Sequence, residues 1–428
     1  MLVYKFGGAS LDAPEKLDNL SRIVARCSEK LIIAVSATGK TTNALEEVNE
    51  AYAERDTDKA LRLLAEVERQ HLELAASSGL GSGLGSDTGS DTGSDCPIDE
   101  LKALVGETAT FIRENKVRDF DFCYGRIVAL GELLSSVIVN AHLNRAGLFS
   151  RLVDARGFMA TDSIFREAKV YLDKTEKNIR ETFPFADTDR YLTQGFIGAN
   201  PRGDVTTLGR EGSDYSAAII ASSLDAESLT IWKDVPGVLN ADPKLFPDAE
   251  PLPELSYKDA AELSYYGARV IHPKTIQPLA GKNIPLFVRS FVEPELPGTR
   301  ISHGKSLPDI HVIAVKPNQI LVSVLPKDFS FASERAVDEL LAVMHAFQLK
   351  IHLIQSSPLC ISLCTDDGRN ARLAIDELRM NGLVLYNDGL ELITIRNYTD
   401  ELIGRYTGSR EKLILQCDRT IARILVKG

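Results

Sequence analysis

A lysine closes the first apolar run of this chain, in Lys5-Phe6-Gly7-Gly8-Ala9-Ser10, and a helical pattern begins a few residues later. Two glycines at such a turn let backbone N–H groups approach an anion at the helix N-terminus. A bare Gly-Gly pair also makes a plain tight turn. Lys5 moves the reading toward an anion site, because an apolar strand is a poor place for an unpaired charge. A second stretch, AVSATGKTTN (34–43), contains Gly39-Lys40-Thr41. A nucleotide P-loop needs Gly-x-x-x-x-Gly-Lys-Ser/Thr. The position of its first glycine holds Ala34, inside the apolar run LIIAV. The favoured reading is a polar turn lining a ligand pocket at the strand's C-terminal end, where open α/β sheets bind.

Two further stretches carry opposite charges. In LGELLSS (130–136), Glu132 stands near the start of an otherwise apolar helix. It either complements the helix dipole or receives a substrate ammonium group. In TTLGREGSDYSAA (206–218), a strand ends at Gly209-Arg210, and Ser213-Asp214 opens a helix. Arg210 is placed to hold a carboxylate through two parallel hydrogen bonds. Ser213 or Asp214 can also be a plain N-cap. WKDVPGVLNADPK (232–244) and GARVIHPKT (267–275), taken alone, read as loops around Asp234, Pro236-Gly237 and Asp242-Pro243.

The elements that must position these residues follow from the hydrophobic pattern. LVYKF (2–6) and LIIAVSA (31–37) read as buried strands. Between them Leu17, Leu20, Ile23, Val24 and Cys27 share one helical face. Asp12 with Glu15 is spaced for a capping box, and Pro14 suits the first helical turn. Strand, glycine turn, helix and strand make a parallel α/β unit. Helices are expected over 43–76, 98–115, 124–146, 213–225 and 256–267. Strands are expected near 150–154, 191–198, 205–209, 228–235 and 285–291. SSGLGSGLGSDTGSDTGSD (77–95) cannot build a core and reads as a flexible loop. A calcium loop is disfavoured there, because the EF-hand spacing and its closing Glu are missing. PELPGTRISHGKSLPD (294–309) reads as a linker. Beyond it, a βαββαβ order over about 75 residues is a ferredoxin-like unit. The tail from Tyr398 offers a short helix and one or two strands.

Composition narrows the class. A chain of 428 residues has room for two or three domains. A net charge of −11 argues against a general binder of nucleic acid or anionic membranes. The N-terminus lacks the apolar core of a signal peptide. No run of about 18 apolar residues suggests a membrane span. The six cysteines, at 27, 96, 123, 360, 364 and 417, make no C-x-x-C pair and read as reduced, buried thiols. A cytoplasmic protein is expected.

Taken together, KFGGAS, VSATGKTTN, GELLSS, TQGFIG, TTLGREGSDY, DVPGVLNADPK and GARVIHP resemble the aspartate kinases of the amino-acid kinase family, in order over residues 5 to 273. The C-terminal ferredoxin-like unit resembles their ACT regulatory domain. The resemblance implies an α/β amino-acid-kinase fold over 1–302, with a mainly parallel sheet flanked by helices. It implies an ACT-type α+β region over 303–428 for regulation and homodimerisation. The implied reaction moves the γ-phosphoryl group of ATP, with Mg²⁺, to the β-carboxylate of L-aspartate. By position, Lys5 would stabilise the transferring group and Asp214 would orient the lysine or other basic groups. Gly7, Gly8 and Ser10 would line the phosphate turn. Ser36, Thr42, Glu132, Phe196, Arg210 and Ser213 would bind aspartate, with Glu132 on its ammonium and Arg210 on its α-carboxylate. Lys233, Asp234, Leu239, Lys244 and Arg269 would occupy nucleotide-site positions.

The chain departs from that pattern in places. Ala9 replaces a usual threonine, Glu211 a glycine, Lys233 a threonine, Leu239 a tyrosine and Arg269 a lysine. A second ACT unit would need about 70 residues, and only 398–428 remain, so it is expected to be truncated or short of a helix. Gln355 and Ser356 sit where an amino-acid effector loop would lie. A non-catalytic amino-acid sensor and a sibling kinase acting on another carboxylate are the alternative readings.

Overall fold

Apolar five-residue runs separated by glycine turns and amphipathic helices leave a chain few choices but a parallel sheet. That is what the computed structural model contains; it describes residues 1–81, 96–266, 271–304, 311–325 and 334–428. One compact unit takes Met1–Val238, Pro251–Ala261 and Val270–Ser306, and a second takes Leu239–Glu250, Glu262–Arg269 and Leu307–Gly428.

In the first unit, β1 (Leu2–Phe6) leads through a one-turn 3-10 helix (Gly8–Ser10) to α1 (Pro14–Ala25) and β2 (Leu31–Val35). Five helices follow: α2 (Thr41–Ala53), α3 (Thr57–Ser77), α4 (Pro97–Glu114), α5 (Phe120–Val128) and α6 (Leu130–Arg145). Next come β3 (Arg151–Val153), α7 (Leu172–Thr182), β4 (Arg190–Gln194), β5 (Ile197–Ala199), β6 (Val205–Thr207) and α8 (Gly212–Ser223). The unit continues with β7 (Ser228–Lys233), β8 (Glu254–Ser256), the start of α9 (Tyr257–Tyr266), whose residues from Glu262 fall in the second unit, α10 (Pro273–Lys282), β9 (Leu286–Ser290) and β10 (Thr299–Ser302). The main sheet runs β3-β4-β2-β1-β7-β9-β10-β8. Of these pairings, β9 with β10 is antiparallel and the others are parallel. All five residues of β2 are buried, as both faces of a central parallel strand should be. On one face, Leu17, Leu45, Tyr52, Leu64, Ile127 and Leu134 share a core with Phe6 and Ile33.

Three expectations need correction. The helix expected over 43–76 is two, because Arg55 turns left-handed at φ 69° and Asp56 starts α3 by accepting from the Lys59 N–H at 2.9 Å. The capping box of Asp12 and Glu15 does not form. Ala13 is the N-cap, without a side-chain bond, and Asp12 pairs with Lys16 at 2.5 Å. The 294–309 linker contains β10, paired to β9 and β8. Among the described residues, Phe120–Arg145 is long enough, and over part of its length apolar enough, to cross a membrane. Its apolar window is 89% buried inside the protein, so α5 and α6 owe that composition to the core.

The second unit comprises β11 (Val312–Leu325), α11 (Glu334–Ala346), β12 (Ile351–Ser357), β13 (Cys360–Asp366), α12 (Arg369–Asn381), β14 (Leu383–Arg396), α13 (Asp400–Thr407), β15 (Lys412–Cys417) and β16 (Ile421–Lys427). Its sheet runs β12-β13-β11-β14-β16-β15. β11 and β14 are 14 residues each, long enough to serve two lobes. One end of the pair, at Val322–Leu325, belongs to the ferredoxin-like lobe. The other, at Val312–Lys316, pairs with the half of β14 that β16 extends. This second lobe has one helix after β14, the eight-residue α13. Ala241, Phe246 and Ala249 complete its apolar cluster with Ile313, Ile393, Ile403 and Ile424. The Phe246 ring meets Tyr406 edge-on at 5.1 Å. All six cysteines are free thiols; Cys27, Cys123 and Cys364 are buried, whereas Cys417 is exposed.

Candidate active site

Parallel pairing sets the C-terminal ends of β1, β2 and β7 side by side. Lys5 stands opposite Ala34 on β2 and Ile231 on β7. Alternation along β1 sends Tyr4 and Phe6 to one face and Lys5 to the other. Phe6 stacks on Trp232 at 6.1 Å with the rings 5° from parallel. Lys5 meets the first turn of α8, where its Nζ lies 2.6 Å from Asp214 Oδ1. Lys233, the last residue of β7, places Nζ 3.6 Å from Asp214 Oδ2. Lys5 and Asp214 are both buried. Burial pushes the Asp214 carboxyl up, but Lys5 and then Lys233 outweigh it and hold it below the ordinary carboxylate range. Two ammonium groups on one carboxylate leave a net positive charge at the strand ends, which suits a polyanion.

The turn after β1 interlocks with the turn after β2. The Gly39 N–H donates to the Gly8 carbonyl at 2.9 Å. A Cβ on Gly8 would sit 2.1 Å from the Ala37 carbonyl oxygen, so the approach requires glycine. Ala34 is buried in mid-strand and Lys40 is exposed. Ser36 follows β2, with its N–H on the Phe6 carbonyl at 3.2 Å, and Thr42 lies in the first turn of α2.

Glu132 reaches the same turn from α6. A Cβ on Gly131 would lie 2.9 Å from Ala37 Cβ and 3.1 Å from Thr41 Cγ2. Glycine there lets the helix start close against 37–41. The Ala37 N–H donates to Glu132 Oε1 at 3.4 Å, while Oε2 has no partner among the described residues. Burial pushes this carboxyl up to about 8, against the lowering pull of the Ala37 N–H and of the Lys5 charge. A buried carboxyl with a spare oxygen invites a cation.

The remaining candidates fall in several places. Phe196, at φ 68°, gives its N–H to Ser216 Oγ of α8 at 3.0 Å, and Ser213 lies buried in the first turn of that helix. Arg210 is exposed in the turn between β6 and α8. Glu211 is left-handed at φ 53° and opens α8 without a side-chain cap. Asp234 is exposed just beyond β7. Leu239 and Lys244 belong to the second unit, and Arg269 lies outside the described residues. Gln355 and Ser356 are exposed on β12.

Two supports escaped the sequence reading. The Ala37 N–H on Glu132 is one. Gln194 is the other; its buried amide donates to Ser136 Oγ at 2.7 Å and accepts from the Ala155 N–H at 2.9 Å. That ties the end of β4 to α6. The signal for Gln194 was a polar amide ending an apolar strand just before glycine.

An open, mainly parallel α/β sheet of this order, joined to an antiparallel ACT-type unit, places the chain among amino-acid-kinase folds. The chain belongs to the amino acid kinase family, whose model matches residues 1–290. It is similar to the aspartokinase of Chlamydia pneumoniae, at 26% identity over 402 residues, covering 92% of this chain and 85% of that protein. It is also similar to the maize chloroplastic bifunctional aspartokinase/homoserine dehydrogenase 1, at 34% identity over 302 residues, which is 70% of this chain and 32% of that protein. The chain therefore spans about a third of the length of such bifunctional relatives. Its fold matches that of E. coli aspartokinase III, solved in complex with aspartate and ADP, with a TM-score of 0.84 at 22% identity, covering 100% of this chain and 96% of that one.

Proposed function

We propose that this chain is an aspartate kinase, transferring the γ-phosphoryl group of MgATP to the β-carboxylate of L-aspartate to give 4-phospho-L-aspartate. The observation that carries the reading is the buried Lys5–Asp214 pair with the half-buried Lys233 beside it at the strand ends, with Glu132 close enough to feel the Lys5 charge. The relatives named aspartokinase support the choice of acceptor.

In this reading the α-amino group of aspartate pairs with Glu132 and its α-carboxylate with Arg210. Ser36, Thr42, Phe196 and Ser213 surround it. Gly7, Gly8 and Ser10 take the nucleotide phosphates at the first helical turn, and Lys233 and Asp234 border the nucleotide. Leu239, Lys244 and Arg269 keep nucleotide roles by resemblance alone. Magnesium enters with the nucleotide, held mainly by phosphates and water. A β-carboxylate oxygen attacks the γ-phosphorus and the bond to the β–γ bridging oxygen breaks, releasing ADP. The carboxylate is already a nucleophile at neutral pH, so no proton needs removing. The protein contributes positioning and charge neutralisation. Lys5, fixed by Asp214, meets the charge of the transferring group. The second unit is assigned an amino-acid effector near Gln355 and Ser356 and a homodimer contact, and the protein a cytoplasmic place.

The test is hydroxamate trapping of the acyl phosphate with MgATP and each of L-aspartate, L-glutamate and N-acetyl-L-glutamate. Aspartate hydroxamate supports the reading. Turnover with another acid and not aspartate, or amino-acid binding with no turnover, overturns it.

A further inference from the structure

The first unit holds a second polar cavity, of about 380 Å³, where α1, the end of α3 and the end of α6 converge. That volume lies within the range of small-molecule sites, about 300–1,000 Å³. Asp18 and Ser21 face it from α1, Ser78 from just past α3, and His142 and Arg145 from α6. Each same-helix pair is three residues apart and so shares a face. His142 Nε2 lies 3.3 Å from Asp18 Oδ1, and Arg145 Nη1 donates to the Ser78 carbonyl.

Three of these side chains are more than nine-tenths buried: Ser21 at 8% exposure, Ser78 at 6% and His142 at 7%. Yet Ser21 Oγ, Ser78 Oγ and His142 Nδ1 have no hydrogen-bond partner among the described residues. Buried polar atoms are almost always paired, so three orphans around one cavity mark a place built for a polar occupant. The charges there are divided. Asp18 and the carbonyl ends of α3 and α6 are negative, whereas Arg145 and the N-terminus of α1 are positive. Burial lowers the His142 pKa, against the pull of Asp18; a neutral ring that donates from Nε2 to Asp18 leaves Nδ1 as an acceptor.

We propose that this cavity binds a small zwitterion of the α-amino-acid class, with its ammonium on Asp18 and its carboxylate on Arg145 and the serine hydroxyls. The site is separate from the Lys5–Asp214 cluster, and the inference does not depend on the phosphoryl-transfer reading. Helix α6 carries Glu132 in its first turn and His142 and Arg145 in its last. An occupant here therefore touches the element that positions Glu132.

The test is calorimetric titration of the full chain with glycine, L-serine, L-threonine, L-lysine and L-methionine in turn. Saturating L-aspartate and a non-hydrolysable ATP analogue are present throughout. Asp18 is largely exposed, so Asp18→Asn keeps the fold, checked by an unchanged melting temperature. At least one probe should bind, with Kd raised about tenfold or more in Asp18→Asn and about threefold or more in Ser21→Ala, the range for losing a charged and a neutral hydrogen bond. Aspartate-dependent turnover without the probe should be unchanged in both variants. Failure of every probe to bind at millimolar concentration overturns the proposal. So does binding with the same Kd in wild type and both variants, since the occupant would then sit elsewhere.

Discussion

If aspartate pairs with Glu132 as proposed, acceptor affinity becomes a function of pH. Its carboxyl is pushed up to about 8 by burial, so the free site is mostly protonated at pH 6 and 7. A protonated carboxyl offers no charge to an ammonium group. If the ionised form alone accepts aspartate, the apparent dissociation constant carries the factor 1 + 10^(pKa − pH), which is about 100 at pH 6, about 10 at pH 7 and about 2 at pH 8. The aspartate KM should therefore fall about 50-fold between pH 6 and pH 8. Nearby groups do not mimic this. Asp214 is held below the carboxylate range and stays ionised. Burial shifts His71, whose Nε2 lies 3.3 Å from Thr41 Oγ1, in the opposite direction, downward. The assay is initial-rate hydroxamate formation across pH 6–8 at saturating MgATP. Glu132→Gln keeps the shape and removes the proton, so its KM should be high and flat. The same shift has a stability consequence of defined sign. A carboxyl raised in the folded state favours the protonated form, so unliganded protein should lose stability as pH rises from 4.5 to about 8, and aspartate should restore it. A wild-type KM that is flat from pH 6 to 8, or a Gln variant with the wild-type slope, refutes the reasoning.

Lys5→Ala should lower kcat by about 10²–10³-fold, the usual cost of one well-placed electrostatic donor. Asp214 keeps Lys233 in that variant, so the fold should lose less than the roughly 3–5 kcal/mol of a fully orphaned buried charge; kcat and a urea midpoint measure the two effects separately. Lys40→Ala should leave kcat/KM within about threefold, because exposed side chains outside a site rarely matter more; a large loss would restore the P-loop reading. Phe246→Ala should destabilise the second unit by about 2 kcal/mol, roughly half the cost of a fully buried Phe→Ala change; the urea transition of that unit reports it, and an unmoved midpoint contradicts the packing role.

Fold and site were legible to different depths. The β1–α1–β2 unit could be read because glycines separate two apolar runs and Leu17, Leu20, Ile23 and Val24 keep helical spacing. The break between α2 and α3 could not, since Arg55 turns left-handed with no glycine or proline to announce it. β10 was hidden among prolines and glycines because it owes its burial to the strands beside it, not to its own pattern. Glu132 and Asp214 stood out as acids in apolar settings. The contact of Lys233 with Asp214 depends on the parallel register of β7 with β1, which sequence spacing does not encode. The role of Ala241, Phe246 and Ala249 was equally invisible. Their irregular spacing has no secondary-structure period, and they matter because a lobe with one short helix leaves sheet surface to cover.

The Gly-Lys-Thr stretch shows how backbone donors decide what a glycine turn can bind. A P-loop works because its N–H groups are free to surround phosphate. In the turn after β2, four of those donors are already used. Ser36 gives its N–H to the Phe6 carbonyl, Gly39 to Gly8 and Thr41 to Thr38, and Ala37 gives its own to Glu132. The loop is thus a brace: it holds the preceding turn in place and fixes Glu132. The turn after β1 differs, because the first N–H groups of a helical turn have no partner within it. Gly8 and Ala9 occupy that position beside the paired lysines. An anion should therefore settle on the Gly7–Ser10 turn, with the Gly-Lys-Thr loop setting the acceptor side through Glu132, and exchanging the roles would require breaking three backbone–backbone hydrogen bonds and the Ala37–Glu132 bond.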